Sequence, residues 1–127
     1  MSRAVRVLVV DDDPVILDLL RINFEIEGFE VLSATDGEEG LAKARDEAPD
    51  LVLCDIMMPR LDGIGLVTRL RDDPRTAPLP VVLLSAKAQK VEVDRGLAAG
   101  ADDYVTKPFD PLELLDRVNA VLAKSRR

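Results

Sequence analysis

The pattern that most constrains this chain is an alternation of short apolar runs with longer segments of helical periodicity. Apolar residues recur at the 3.6-residue spacing of a helix from Val15 to Phe24 and again from Leu112 to Leu122. Strands that alternate with helices predict a parallel sheet covered by helices on both faces, which is an α/β fold. Five runs are brief and rich in apolar residues, as buried strands are, and lie at 5–10, 30–34, 51–54, 80–85 and 103–106.

Residues that start and stop helices support this division of the chain. Asp13, Asp36 and Asp110 stand where N-caps are expected, and a proline follows the first and the last of them. Gly28 and Gly100 stand where helices should end. Residues 72–80 are expected to form a loop. The sequence therefore predicts five β-α units in one domain that spans residues 1–127.

Charge and composition exclude several classes of function. Seventeen basic and twenty-four acidic residues give a net charge of −7, which disfavours a direct nucleic-acid or anionic-membrane partner despite the basic residues at 124–127. No apolar run approaches the roughly 20 residues that span a bilayer. Cys54 is the single cysteine, so no internal disulfide forms and a reducing cytoplasm is expected. The chain has no histidine, which excludes histidine triads and histidine metal sites.

Polar residues stand at the ends of four predicted strands. Ligands of open parallel α/β sheets bind beyond the carboxyl ends of the strands, so these residues are expected to converge on one edge of the sheet. The second strand ends without such a group. The residues in question are Asp11, Asp12 and Asp13 after the first strand, Asp55 after the third, Ser85 at the end of the fourth and Lys107 after the fifth.

The chemistry of this residue set predicts a metal and a phosphoryl group. Three or four carboxylates within a few ångströms stay charged together only if a cation joins them. Oxygen ligands without histidine or cysteine suit a hard cation, Mg²⁺ first and Mn²⁺ as an alternative. A metal, a lysine ammonium and a serine hydroxyl together suit a phosphoryl group. Because no glycine-rich cradle for a nucleotide is present, the simplest acceptor is a carboxylate of the site, and Asp55 is the best candidate.

Four motifs carry a resemblance to a known family. They are VVDDDP at 9–14, LVLCDIMMPRLDG at 51–63, LLSA at 83–86 and GADDYVTKPF at 100–109, with Ser85 and Lys107 placed 30 and 52 residues after Asp55. Over nearly its whole length the chain resembles the receiver domain of two-component response regulators. The resemblance implies a doubly wound, flavodoxin-like (βα)5 fold with five parallel strands in the order 2-1-3-4-5.

The same resemblance implies the metal ligands and the phosphoryl donor. Asp55 would accept a phosphoryl group from a phosphohistidine on a histidine kinase or a histidine phosphotransfer protein. Asp12 and Asp55 would bind Mg²⁺ directly and Asp11 through water, while Met57 would contribute its carbonyl oxygen. Such a protein catalyses its own phosphorylation and dephosphorylation and is not a classical turnover enzyme.

Further roles follow from the resemblance for residues around the phosphoryl group. Ser85 and Lys107 would contact its oxygens, and Tyr104 would turn inward when Ser85 moves. The peptide bond between Lys107 and Pro108 would be cis. Met57 and Lys87 would border the path of the attacking water and so tune the lifetime of the acyl phosphate. Neither side chain activates water well, because a thioether bonds water weakly and an ammonium only donates hydrogen bonds.

Three other functions compete with this interpretation. A phosphatase of the haloacid-dehalogenase type also forms an aspartyl phosphate, but it needs an aspartate two residues after the nucleophile, where this chain has Met57. A flavodoxin-like flavin carrier needs a Ser/Thr/Gly phosphate loop after the first strand, where this chain has three carboxylates. A degenerate receiver that acts as a binding module would lack phosphorylation residues that are all present here.

The C-terminal pattern bears on the output. The stretch 100–109, with Asp103, Glu113 and Arg117, resembles receivers of winged-helix transcription factors, which form homodimers through the fourth helix, fifth strand and fifth helix. The chain departs from that pattern at Val93, where a basic partner for Glu113 is expected. The sequence ends soon after the fifth predicted helix. We therefore expect either a free-standing receiver that acts on a downstream protein or the receiver part of a longer regulator with an effector domain.

Overall fold

The structure is a computed structural model that describes residues 3–86 and 90–125. Strands and helices alternate along the chain, as predicted. None of the helices in the described ranges has the length and apolar content that a bilayer crossing requires. The elements are β1 Arg6–Val10, α1 Pro14–Ile26, β2 Glu30–Ala34, α2 Gly37–Glu47, β3 Leu51–Asp55, α3 Gly63–Asp72, β4 Val81–Ala86, α4 Lys90–Ala99, β5 Asp103–Lys107 and α5 Pro111–Ser125.

The five strands form one parallel sheet in the order β2-β1-β3-β4-β5. This order confirms the fold expected from the sequence and places β3 at the centre of the sheet. Asp55 and Lys107 are the last residues of β3 and β5, each one residue beyond the predicted run. Both polar residues still pair with β4, Asp55 opposite Leu84 and Lys107 opposite Ala86. The ladder thus fixes the backbone of both residues.

Two apolar layers cover the two faces of the sheet. Alternate strand residues such as Val9 and Leu53 pack against α1 and α5, and their neighbours Val10 and Cys54 pack on the other face with α2 and α3. All four side chains are fully buried, so the sheet behaves as a doubly covered parallel sheet should. Cys54 is therefore a small core residue, as is typical of a free, buried cysteine.

Aspartate side chains cap the helices that follow the carboxyl ends of the strands. The Asp13 carboxylate accepts a hydrogen bond of 2.9 Å from the Val15 amide, which confirms its predicted capping role. Asp36 caps α2 by accepting a hydrogen bond of 2.8 Å from the Glu39 amide. The Glu39 carboxylate in turn accepts a hydrogen bond from the amide of Thr35, one residue before the cap.

A further cap, which was not predicted from the sequence, lies at the start of α3. Asp62 accepts 2.8 Å from the Gly65 amide and so begins that helix. The predicted helix ends are confirmed, because Gly28 and Gly100 have positive φ angles of 90° and 122°. Because the strands are parallel, the loops after β1, β3 and β5 leave the same edge of the sheet.

Candidate functional site

Three carboxylates meet at the carboxyl edge of the sheet. Asp11, Asp12 and Asp55 each offer an oxygen atom, and these oxygens lie within 4.8 Å of one another. Asp11 is fully buried and Asp55 is 8% exposed, whereas Asp12 is open to solvent. Two of the three negative charges are therefore held away from water, which is costly unless a cation approaches them.

Lys107 supplies part of that positive charge. Its ammonium nitrogen lies 2.9 Å from Asp11 Oδ2 and 3.3 Å from Asp55 Oδ2. The other Asp11 oxygen, Oδ1, accepts 2.9 Å from the amide of Asp13. Both oxygens of Asp11 are thus engaged within the protein, while Asp12 faces solvent.

The ionisation of Asp55 and Lys107 follows from this arrangement. Burial, together with the nearby Asp11 carboxylate, raises the pKa of Asp55 despite the opposing effect of the Lys107 ammonium. Burial also opposes the charged form of Lys107, but the Asp11 and Asp55 carboxylates outweigh it and raise the pKa of the ammonium. Both shifts favour the protonation states that reduce the negative charge of the site.

The donor set fits a hard divalent cation. Three carboxylates against one ammonium leave an excess of negative charge, and the donors are oxygen atoms of the kind that Mg²⁺ binds. The Met57 backbone lies close enough to the Asp55 carboxyl to lower its pKa slightly, against the larger effect of burial. The Met57 side chain is 57% exposed. The sequence-based expectation that the Met57 carbonyl is a metal ligand stays a prediction.

A cavity of about 200 Å³ lies beside this site, between the ends of β4 and β5 and the start of α4. Ser85, fully buried at the end of β4, lines it together with Thr106, its partner across the β4–β5 ladder. Tyr104 also lines the cavity and is 37% exposed. Space for a rearranged side chain is therefore present where the sequence analysis expected a switch. Thr106 was not predicted from the sequence as a residue that lines this cavity. The available signal was its position directly before Lys107 on a predicted strand.

Other sequence-based expectations have mixed outcomes. The peptide bond between Lys107 and Pro108 is cis, as the resemblance implied. The Arg117 guanidinium donates to both Asp103 carboxylate oxygens at 2.8 and 2.9 Å, so these two residues pair within one chain. Val93, the departure on α4, is 5% exposed and packs against the sheet. Lys87, the second residue expected to tune the acyl phosphate lifetime, lies outside the described residues.

Comparison with known proteins shows which proteins this chain is similar to. A family model described as "Response regulator receiver domain" matches residues 7–119. The chain is 48% identical over 122 residues to the DNA-binding dual master transcriptional regulator RpaA of Synechocystis sp.. It is 46% identical over 120 residues to the alkaline phosphatase synthesis transcriptional regulatory protein PhoP of Bacillus subtilis. Both relatives are named as transcriptional regulators, which agrees with the expected likeness to receivers of transcription factors.

These alignments cover unequal shares of the proteins. The match to RpaA covers 96% of this chain and 51% of RpaA, and the match to PhoP covers 94% and 49%. The chain thus spans about half the length of these curated relatives. A putative response regulator from Chloroflexus aurantiacus has a TM-score of 0.91 and 38% identity, over 95% of this chain and 99% of that one. The Vibrio cholerae chemotaxis protein CheY4 has a TM-score of 0.87 and 31% identity, over 93% and 98%.

Proposed function

The chain belongs to the receiver domain family of response regulators, and from that premise we propose that Asp55 accepts a phosphoryl group from a phosphohistidine of a partner protein. The partner is a histidine kinase or a histidine phosphotransfer protein. The observation that carries the proposal is the position of Asp55, a buried carboxylate at the end of the central strand with an ammonium 3.3 Å away and two carboxylates beside it. Residues 1–127 are proposed to form one such domain.

The transfer exchanges one bond to phosphorus for another. An Asp55 carboxylate oxygen forms the new P–O bond while the P–N bond of the phosphohistidine breaks, and the imidazole leaves with the electron pair and takes up a proton. Mg²⁺ or Mn²⁺ bound directly by Asp12, Asp55 and the Met57 carbonyl, and through water by Asp11, would neutralise charge on the phosphoryl oxygens. Lys107 is held 3.3 Å from Asp55, and its ammonium would contact the same oxygens.

Metal-dependent phosphorylation tests this proposal directly. With acetyl phosphate and Mg²⁺, intact-mass spectrometry is expected to find one phosphoryl group per chain. Mg²⁺ is needed because the cluster of carboxylates accepts further negative charge only when a hard cation offsets it. Excess EDTA is expected to prevent the modification. A protein that gains no phosphoryl group from acetyl phosphate or from phosphorylated kinases would contradict the proposal.

We also propose that phosphorylation is passed to the surface through Ser85 and Tyr104. New phosphoryl oxygens would draw the Ser85 hydroxyl and the Lys107 ammonium inward, and the cavity of about 200 Å³ then has room for the Tyr104 ring. This movement would change the face formed by α4, β5 and α5. That face is where we place the contact with an effector domain, a downstream protein or a second copy of the chain.

Tyrosine fluorescence is a direct measurement of this movement, since the chain has one tyrosine and no tryptophan. Beryllofluoride with Mg²⁺ is expected to lower acrylamide quenching of Tyr104 about twofold, because a ring that is 37% exposed moves into a cavity. The Asp55→Asn variant serves as the control that should not respond. Unchanged quenching in wild-type protein with beryllofluoride demonstrably bound would remove Tyr104 from the switch.

Several finer features belong to the same proposal. Met57 and Lys87 would border the path of water to the acyl phosphate, and the exposed Met57 side chain is consistent with this role. The protein is proposed to act as a phosphoacceptor rather than a turnover enzyme. A cytoplasmic location is proposed from the single cysteine, which is buried.

A further inference from the structure

The loop between β3 and α3 holds a residue with an unfavourable backbone conformation. Arg60 has a φ angle of +67°, in the left-handed region that residues other than glycine rarely occupy. We call residues 56–62 the acceptor loop, because the loop begins directly after Asp55. A glycine would adopt this conformation without steric cost, so the backbone alone gives no reason for an arginine.

The arginine side chain makes a specific contact outside its own loop. Its Nε and Nη2 atoms lie 2.9 and 2.8 Å from Asp36 Oδ2. Asp36 is 7% exposed, and its other carboxylate oxygen caps α2 through the Glu39 amide. The aspartate is thus fixed by its own helix and offers Arg60 a rigid, charged partner.

A second contact brings the same two loops together. A Cβ atom added to Gly37, the first residue of α2, would lie 1.9 Å from the carbonyl oxygen of Leu61. The outer part of the acceptor loop therefore packs directly on the start of α2. The base of the loop is closed separately, since the Gly63 amide donates 2.8 Å to the carbonyl of Ile56.

We propose that Arg60 is a positioning residue for the metal site, because its ion pair with Asp36 fixes the acceptor loop and so holds the Met57 carbonyl in place for Mg²⁺. The inference rests on the proposed function, in which that carbonyl is a metal ligand. Met57 lies three residues before Arg60, in a segment tied down at its base and at this ion pair. Groups that orient a metal ligand from outside the coordination shell affect metal affinity.

The Arg60→Gly variant separates this role from a structural one. Glycine relieves the left-handed backbone while it removes the ion pair, so the thermal unfolding midpoint without metal is expected to stay within about 5 °C of wild type. The Mg²⁺ dissociation constant, measured by calorimetry, is expected to rise about fivefold, as suits the loss of one partly exposed ion pair. Arg60→Lys keeps the charge with a single donor group and is expected to restore part of the affinity.

Electrostatics alone predicts the opposite sign. Removing a positive charge makes the surroundings of the site more negative, which favours cation binding. Arg75→Gly is the matched control, because Arg75 also pairs with a loop aspartate, Asp73, at 3.0 Å and has a side-chain exposure of 66% against 68% for Arg60. This control is expected to leave the Mg²⁺ affinity unchanged.

The outcomes distinguish this inference from the function on which it rests. Wild-type protein that fails to bind Mg²⁺ contradicts the proposed function itself. Wild-type binding together with equal or tighter binding by Arg60→Gly overturns the role of Arg60. An equal loss of affinity in Arg60→Gly and Arg75→Gly also overturns it, since the effect would then not depend on the acceptor loop.

Discussion

The Asp55→Asn variant is expected to lose phosphorylation by acetyl phosphate almost completely, with a rate at least about 100-fold below wild type, a barrier change of about 2.7 kcal/mol. Asparagine keeps the shape of the side chain, but its amide lacks the anionic oxygen that attacks phosphorus. The backbone of residue 55 is held in the β3–β4 ladder opposite Leu84, so the substitution is not expected to disturb the strand. The measurement is the initial rate of phosphoprotein formation at saturating Mg²⁺.

Asp62→Asn is a matched control for this change. Asp62 lies on the acceptor loop, which begins directly after Asp55, and caps α3 through the Gly65 amide. Asparagine caps a helix about as well as aspartate. Its phosphorylation rate is expected to stay close to that of wild type. A normal rate in Asp55→Asn, or an equal loss in both variants, would show that Asp55 is not the acceptor.

The Asp55→Asn variant also measures how much the buried negative charge of the site destabilises the fold. Burial and Asp11 raise the pKa of Asp55 above its ordinary value of 3.8, so the folded protein holds this proton more firmly than the unfolded chain. Wild-type stability therefore falls as the pH rises from the unfolded pKa through the folded one. Without metal, Asp55→Asn is expected to melt at a higher temperature than wild type at pH 7, and the difference should shrink as the pH approaches 3.8. A lower melting point at pH 7 would contradict this account.

The strands and the convergence of their ends could be predicted because both depend on local patterns. Val9 and Leu53 stand in uninterrupted apolar runs, and such runs are typical of strands buried on both faces. Parallel strands leave their carboxyl ends on one edge, so the meeting of Asp11, Asp55 and Lys107 followed from the order of elements alone.

Contacts between loops could not be predicted from the sequence. The left-handed backbone of Arg60 has no local signature, and its partner Asp36 stands 24 residues earlier in another loop. The 2.9 Å distance between the Lys107 ammonium and Asp11 likewise depends on two chain segments that lie 96 residues apart. Residue types and strand order indicate which groups meet, whereas their distances depend on how whole elements pack.

Asp12 and Asp13 are adjacent in the chain, but different roles are expected for them. Asp12 contributes an oxygen to the carboxylate group and faces solvent. Asp13 caps α1 through the Val15 amide and, in the described residues, does not belong to that group. Two alanine substitutions one residue apart therefore separate metal binding from stability.

For Asp12→Ala the Mg²⁺ dissociation constant is expected to rise at least about tenfold, because one of few charged ligands is lost. Stability without metal is expected to stay equal or to increase, since one negative charge leaves a crowded site. For Asp13→Ala the free energy of unfolding is expected to fall by about 1 kcal/mol through the lost cap, with Mg²⁺ affinity near wild type. Calorimetric titration and denaturant unfolding of both variants measure the two quantities. A stability loss for Asp12→Ala with intact Mg²⁺ binding would make Asp12 structural, and a Mg²⁺ defect confined to Asp13→Ala would move the metal ligand by one residue.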